Sequence, residues 1–180
     1  MCALEYYTYD DYVQWDGDWE LIDGIPLAIS PAPTRKHQSI AGKIFNLIEN
    51  QIEECPFCEA LYEVDYKIGE DTVLRPDVVL TCGETNEAYL TKTPEIVVEV
   101  ISKATARRDE EYKFSIYEKE QVHYYVLVYP DDLIAKVYKL ENRKFYLEGR
   151  FDRETYRFEE TKCGVTLDFE RVFKKFRRSS

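Results

Sequence analysis

The segment that most restricts what this chain can fold into is residues 95–102, Glu-Ile-Val-Val-Glu-Val-Ile-Ser. Its run of β-branched residues predicts a buried strand, yet Glu99 stands in the middle of it. A carboxylate is costly to bury unless it is paired, hydrogen-bonded or metal-bound, so any acceptable fold must bring Glu99 a partner. Strand alternation sets Ile96, Val98 and Val100 on one face and Glu95, Val97, Glu99 and Ile101 on the other. Glu99 is therefore flanked by Val97 and Ile101.

A second apolar run, Val73-Leu-Arg-Pro-Asp-Val-Val-Leu80, carries Asp77. Pro76 cannot donate to a sheet ladder, which predicts an edge position or a bulge just before Asp77. Two strand carboxylates brought together repel unless a cation or a proton lies between them. Mg²⁺ prefers oxygen ligands, keeps several waters and binds through one or two carboxylates. Asp77 and Glu99 are thus expected to share a divalent-metal site. Lys113 is the third candidate. On a helix expected over 105–120, the residues at helical spacing around it are Ala106, Asp109, Ile116 and Tyr117, so it points toward the sheet. A lysine there could orient or deprotonate a water and stabilise charge on a phosphoryl group. Taken singly, each residue has a structural reading: an Asp after Pro can be a turn residue, a strand Glu can face solvent, and a lysine can snorkel.

The remaining pattern surrounds this centre. Residues 8–16 predict a short helix capped by Thr8. Trp19–Asp23 and Ile25–Ile29 predict a hairpin turning at Asp23-Gly24. Residues 30–34 predict a loop ending at a capping Thr34. Residues 35–54 show the longest helical period, with Ile40, Ile44, Ile48 and Ile52 every fourth residue, and His37 faces inward one turn before that stripe. Strands are expected over 57–68, 73–80, 95–101 and 122–129, then a hairpin over 133–140 and 144–151, and a short helix over 168–177. The order predicts one α/β (α+β) domain, residues 1–180, on a mixed sheet flanked by helices, with an N-terminal helix-hairpin and a C-terminal β-hairpin.

Composition narrows the function. With 180 residues, 44% hydrophobic and 33% charged, the chain can bury a core. A net charge of −11 argues against a generic nucleic-acid binder, so nucleic-acid contact would need a local basic surface. The candidates are Lys103 with Arg107 and Arg108, and Arg171, Lys174, Lys175, Arg177 and Arg178, although cations are also favourable at a helix C-terminus. No apolar stretch approaches the ~20 residues of a membrane span, and there is no signal-like N-terminus, so a cytoplasmic location is expected. The five cysteines are odd in number and lack the spacing of a disulfide framework. Cys55-Pro-Phe-Cys58 could be a redox pair or half of a zinc site. The pair follows a helix instead of opening one, and only His37, His123 and scattered cysteines could complete a zinc site, so structural cysteines are expected.

A family resemblance rests on Trp19-Glu-Leu-Ile-Asp-Gly24, Ser30-Pro-Ala-Pro-Thr34 with His37, Arg75-Pro-Asp77, Val97-Val-Glu-Val-Ile-Ser102, Thr105-Ala-Arg-Arg-Asp109 with Lys113 and Tyr117, Tyr124-Tyr-Val-Leu-Val128, and Gly164-Val-Thr-Leu-Asp168. In these the chain resembles the Uma2 family of restriction-endonuclease-like proteins, a branch of the PD-(D/E)xK nuclease superfamily. The resemblance implies a restriction-endonuclease-like core. It makes Asp77 the motif Asp and Glu99 the acidic residue of (D/E)xK, with Mg²⁺ or Mn²⁺ bound by both and by the Val100 carbonyl. The motif lysine should fall at position 101, where this chain has Ile101; Lys113 matches a lysine supplied from the following helix. His37 is a further site residue by resemblance and by its inward position, while Glu20 and Gln38 are weaker candidates. Asp65 is expected to be exposed. The implied activity is metal-dependent hydrolysis of DNA, in a homodimer. The alternative is a catalytically inactive nuclease-fold module for binding or oligomerisation, motivated by the acidic charge and Ile101.

Overall fold

A computed structural model describes residues 5–29, 32–102 and 105–177. Cys2, Ser30, Pro31, Lys103 and Arg178 lie outside these, including the start of the loop expected over 30–34.

The central sheet is built on the segment around Glu99. Ile96–Val100 (β7) is a strand buried along its whole length. It pairs antiparallel with Val78–Cys82 (β6) and parallel with Tyr124–Tyr129 (β8). β6 continues to Cys58–Tyr62 (β3), and β8 to the hairpin Ile134–Glu141 (β9) and Lys144–Phe151 (β10). The six-stranded order is β10-β9-β8-β7-β6-β3, mixed because only β7 and β8 run parallel. The crossover between those two is a helix, as a parallel pair requires. It is π-helical over Arg108–Lys113 and α-helical over Phe114–Lys119 (together α3).

Alternation in β7 gives each face its own core. Ile96, Val98 and Val100 pack with Ile40, Ile44 and Ile48 of Arg35–Glu49 (α2) and with Phe169, Val172 and Phe173 of Phe169–Arg177 (α4). Val97 and Ile101 pack on the other side with Tyr117, Tyr125 and Leu74. Thr34 caps α2 as expected, its hydroxyl accepting from the His37 backbone N–H at 3.2 Å. At the N-terminus, Tyr9–Tyr12 (α1) is preceded by Thr8, whose N–H donates to the Asp11 carboxylate. Trp19–Ile22 (β1) and Ile25–Ala28 (β2) form the hairpin, with Asp23 and Gly24 both at positive φ in the turn. A second sheet in the order β2-β1-β5-β4 uses Val73–Leu74 (β5) and Tyr66–Lys67 (β4).

Several boundaries shift for physical reasons. The strand expected over 73–80 is two strands in two sheets, because the chain crosses between them at Arg75–Asp77, where Pro76 needs no ladder donor. The strand expected over 57–68 likewise divides at Glu63, whose φ is positive. The helices expected over 8–16 and 35–54 end earlier, at Tyr12 and Glu49. A small pair of strands, Thr155–Arg157 (β11) and Thr166–Asp168 (β12), was not expected. Asp65 is not exposed as expected: it is half-buried, accepting from Tyr12 Oη at 3.0 Å and lying 3.6 Å from Arg75 Nε.

The cysteines need the largest correction. Cys55 joins Cys163 and Cys58 joins Cys82, across 108 and 24 residues of sequence. Neither member of the Cys-x-x-Cys pairs with the other, so local spacing gave no sign of the crosslinks.

Candidate active site

β6 and β7 bring the two strand carboxylates together. Their antiparallel register pairs Val78 with Val98 and Val79 with Val97, so Asp77, the residue before β6, comes next to the Glu99–Val100 end of β7 and accepts the Val100 N–H through its side chain. Glu99 lies on the α3 face, whereas Asp77, just before β6, is met by His37 of α2.

Each carboxylate is held by one of its oxygens. Asp77 Oδ2 accepts the Val100 backbone N–H at 2.6 Å and lies 3.2 Å from His37 Nε2. His37 reaches it from the first turn of α2, beside the Val100 carbonyl. Glu99 Oε1 accepts from Lys113 Nζ at 2.9 Å and from Tyr117 Oη at 3.1 Å. Asp77 Oδ1 and Glu99 Oε2 accept no hydrogen bond from the described residues.

Lys113 is surrounded by three carboxylates. Its ammonium lies 2.6 Å from Glu20 Oε1, 2.9 Å from Glu99 Oε1 and 3.7 Å from Asp109 Oδ1, and all four side chains are at most 4% exposed. Glu20, on β1, also accepts the Arg75 backbone N–H at 2.9 Å and Arg108 Nη1 at 3.1 Å. It therefore ties the N-terminal hairpin to the segment before Asp77 and to α3. The π-helical turn contributes here, since one stretch of helix aims both Asp109 and Lys113 inward.

Burial and charge act against each other in this cluster. Burial pulls the Lys113 ammonium down, but Glu20, Glu99 and Asp109 outweigh it and hold its pKa well above the usual lysine value. Burial pushes Glu99 well above the ordinary carboxylate range, aided by Asp109, Asp77 and Glu20 and opposed by Lys113. Burial likewise raises Asp109. For His37, burial favours the neutral ring, while the hydrogen bond and charge of Asp77 raise its pKa on balance. His37 Nδ1 is buried and has no hydrogen-bond partner among the described residues.

The structure thus places Asp77, Glu99, Lys113 and His37 in one neighbourhood, with the Val100 carbonyl beside them. It adds Glu20 and Asp109, the first rated weak from sequence and the second named only as a helical neighbour of Lys113. The signal for Glu20 was the same as for Glu99, an acid inside an apolar strand, here Trp19-Glu-Leu-Ile22. Gln38 is exposed and stays outside the cluster. Ile101, in the expected lysine position, packs into the apolar core of the α3 face.

The donor set suits a hard divalent ion. Asp77 and Glu99 each keep one oxygen that accepts no hydrogen bond from the described residues, the Val100 carbonyl lies beside His37, and Mg²⁺ binds through one or two carboxylates with water completing its shell. No third acidic or His ligand atom closes in: among the described residues, only Cys55, Cys58 and Cys163 bring three such ligand atoms within 4.8 Å of one another.

Of the basic residues noted in the sequence, Arg107 pairs with Glu111, Arg108 with Glu20, and Arg177 with Asp152 and Glu170. Arg171, Lys174 and Lys175 instead line a groove of about 510 Å³ with Ser39 and Lys43 of α2. Among the described residues, no helix is long and apolar enough to cross a membrane.

A mixed central sheet with a β7-α3-β8 crossover is the architecture of a restriction-endonuclease-like protein, the class to which the family match also assigns the chain. The chain belongs to the Uma2 family, described as "Putative restriction endonuclease", whose match spans residues 5–170. It is also similar in fold to a solved structure from Anabaena variabilis ATCC 29413, described as a "putative nuclease belonging to DUF820". The TM-score is 0.74 at 17% identity, covering 93% of this chain and 97% of that one. Comparison with curated proteins gave no match.

Proposed function

We propose that this protein is a Mg²⁺- or Mn²⁺-dependent endonuclease that hydrolyses DNA phosphodiester bonds. The observation that supports the reading is the closeness of Asp77, just before β6, to the Glu99–Val100 end of β7, with each carboxylate anchored through one oxygen and its other oxygen accepting no hydrogen bond from the described residues. Asp77, Glu99 and the Val100 carbonyl would hold the ion. When bound, it supplies Lewis-acid polarisation of the phosphoryl oxygen and a lowered pKa for water.

The chain's own residues do the rest. The Val100 N–H and His37 Nε2 fix Asp77, so His37 is a positioning residue in this arrangement. Tyr117 and Lys113 fix Glu99. As an ammonium, Lys113 has no lone pair with which to deprotonate water, so its part is to compensate the carboxylates and offset charge that develops on the phosphoryl group. The cations of the groove beside α2 form no ion pair among the described residues and supply the kind of local basic surface that contact with a DNA backbone would need on an acidic chain.

Ile101 favours a second reading, a nuclease-fold module without activity that binds a partner or a second copy of itself. Plasmid cleavage with Mg²⁺ or Mn²⁺ separates the two. The nuclease reading expects cleavage by the wild type and its loss in Asp77→Ala and Glu99→Ala. Equal activity of all three, or none in the wild type with either metal, overturns it.

A further inference from the structure

Four of the five cysteines meet in one place, far in sequence from one another. Cys55 and Cys58 close the turn after α2, where the Cys55 N–H donates to Ile52 O at 2.8 Å and the Cys58 N–H to Cys55 O at 3.0 Å. Cys58 opens β3 opposite Cys82 at the end of β6, with Cα atoms 4.0 Å apart. Cys163 comes from the connection between β11 and β12, its Cα 6.2 Å from that of Cys55. The Sγ atoms of Cys55, Cys58 and Cys163 all lie within 4.8 Å of one another, and Cys82 Sγ is bonded to that of Cys58.

Each disulfide uses one cysteine of the same Cys-Pro-Phe-Cys turn, so the two bonds lie side by side and bring four sulfurs together. That is the donor set of a structural zinc site. A Zn–S distance of about 2.3 Å in a tetrahedron sets the sulfurs about 3.8 Å apart; three of the four already lie within 4.8 Å of one another, and reduction frees the two bonded pairs, Cys82 included, to separate to that spacing. The two-residue spacer is the usual one for a pair of zinc ligands on one turn. The other two ligands each precede a glycine with positive φ, Gly83 at +74° and Gly164 at +56°. Cations lie close by. Lys92 donates to the Gly83 carbonyl, and the Arg157 guanidinium lies 3.9 Å from where a Cβ on Gly164 would be. Both offset the double negative charge of a zinc tetrathiolate.

We propose that Cys55, Cys58, Cys82 and Cys163 bind one Zn²⁺ in the reduced protein, and that the pair of disulfides is the metal-free oxidised form. In the conversion, each disulfide takes two electrons and two protons from a dithiol reductant, which becomes a disulfide in turn. The four thiols then lose four protons as Zn²⁺ binds. The site joins the turn after α2, one end of the β3–β6 pairing and the β11–β12 loop. It thereby braces the helix that carries His37 and the strand that follows Asp77, without itself belonging to the acidic centre. The proposal does not depend on nuclease activity.

The test uses the full chain purified with a dithiol reductant and without chelator. Zinc is measured by plasma mass spectrometry, and Co²⁺ reconstitution by visible absorption. The expected result is one zinc per chain, released by an organomercurial. It should fall more than tenfold in Cys55→Ser/Cys163→Ser and stay unchanged in Glu99→Gln. Co²⁺ should give the thiolate charge-transfer and d–d bands of a tetrahedral tetrathiolate, which decides the matter in the wild type even if the cysteine variants fail to fold. Zinc-free protein that binds no Co²⁺ through sulfur overturns the proposal. So does zinc that is lost in Glu99→Gln but kept in the cysteine variant, or persistence of both disulfides under reductant.

Discussion

Replacing Lys113 with Met keeps most of the side-chain volume and removes the one cation shared by Glu20, Glu99 and Asp109. Those carboxylates lie 2.6, 2.9 and 3.7 Å from Nζ, and none of the four side chains is more than 4% exposed, so solvent cannot take over the screening. Breaking a buried pair by removing one partner costs about 3–5 kcal/mol. At roughly 2–4 °C per kcal/mol for a chain of this size, the melting temperature should fall by about 6–20 °C. The loss should depend on pH. Burial already raises Glu99 and Asp109, and without Lys113, which opposes that rise, their folded pKa values move further above the unfolded carboxylate value of about 4.3 for Glu. A raised folded pKa contributes stability below the unfolded pKa that is lost as pH rises through the folded one. The gap between wild type and Lys113→Met should therefore widen from about pH 5 to about pH 8, by up to about 1.4 kcal/mol per pH unit for each proton retained. Urea unfolding followed by the fluorescence of Trp15 and Trp19, at fixed redox state, measures it. Adding Glu20→Gln should recover part of the loss, giving a non-additive cycle. A variant within 1 kcal/mol of wild type across that pH range, or strict additivity, would refute the charge-compensated cluster.

Three further outcomes follow from the same geometry. Glu20→Gln alone should destabilise by about 1.5–3 kcal/mol, since it weakens charged hydrogen bonds to Arg75, Arg108 and Lys113; denaturant midpoints check this. His37 should titrate above its ordinary value and fall toward it in Asp77→Asn, as read by NMR of the imidazole ring; its share of stability is present below the unfolded pKa and fades as pH rises through the folded one. Gly24→Ala should cost at least about 1 kcal/mol in thermal unfolding, because φ is +74° there and the Tyr6 ring occupies the space of a new Cβ.

The parts of this molecule that follow local periods were legible in the sequence. The alternation that put Glu99 with Val97 and Ile101 holds in β7, the four-residue repeat of Ile40, Ile44 and Ile48 faces the sheet, and Asp23-Gly24 turns the first hairpin. Asp77 and Glu99 could be named because an acid in a β-branched run violates the local preference. Glu20 carries the same violation, but β1 is only four residues long and its context is correspondingly weaker. Asp109 stood on the same helical face as Lys113 in the sequence, but nothing local showed that it would be buried beside the Lys113 ammonium, which depends on the packing of α3 against β1 and β7. The crosslinks were hidden because they join segments that only the folded sheet brings together. The break at Pro76 was visible as a break, but which sheet each half would join is decided by packing.

The central claim is that Asp77 and Glu99 together hold a divalent ion. Calorimetric titration of the full chain with Mn²⁺, in reduced protein whose cysteine cluster has been saturated with zinc, tests it most directly. The account predicts one further site whose affinity falls at least tenfold in both Asp77→Asn and Glu99→Gln. Unchanged Mn²⁺ binding in both variants, or no binding by the wild type, would contradict it.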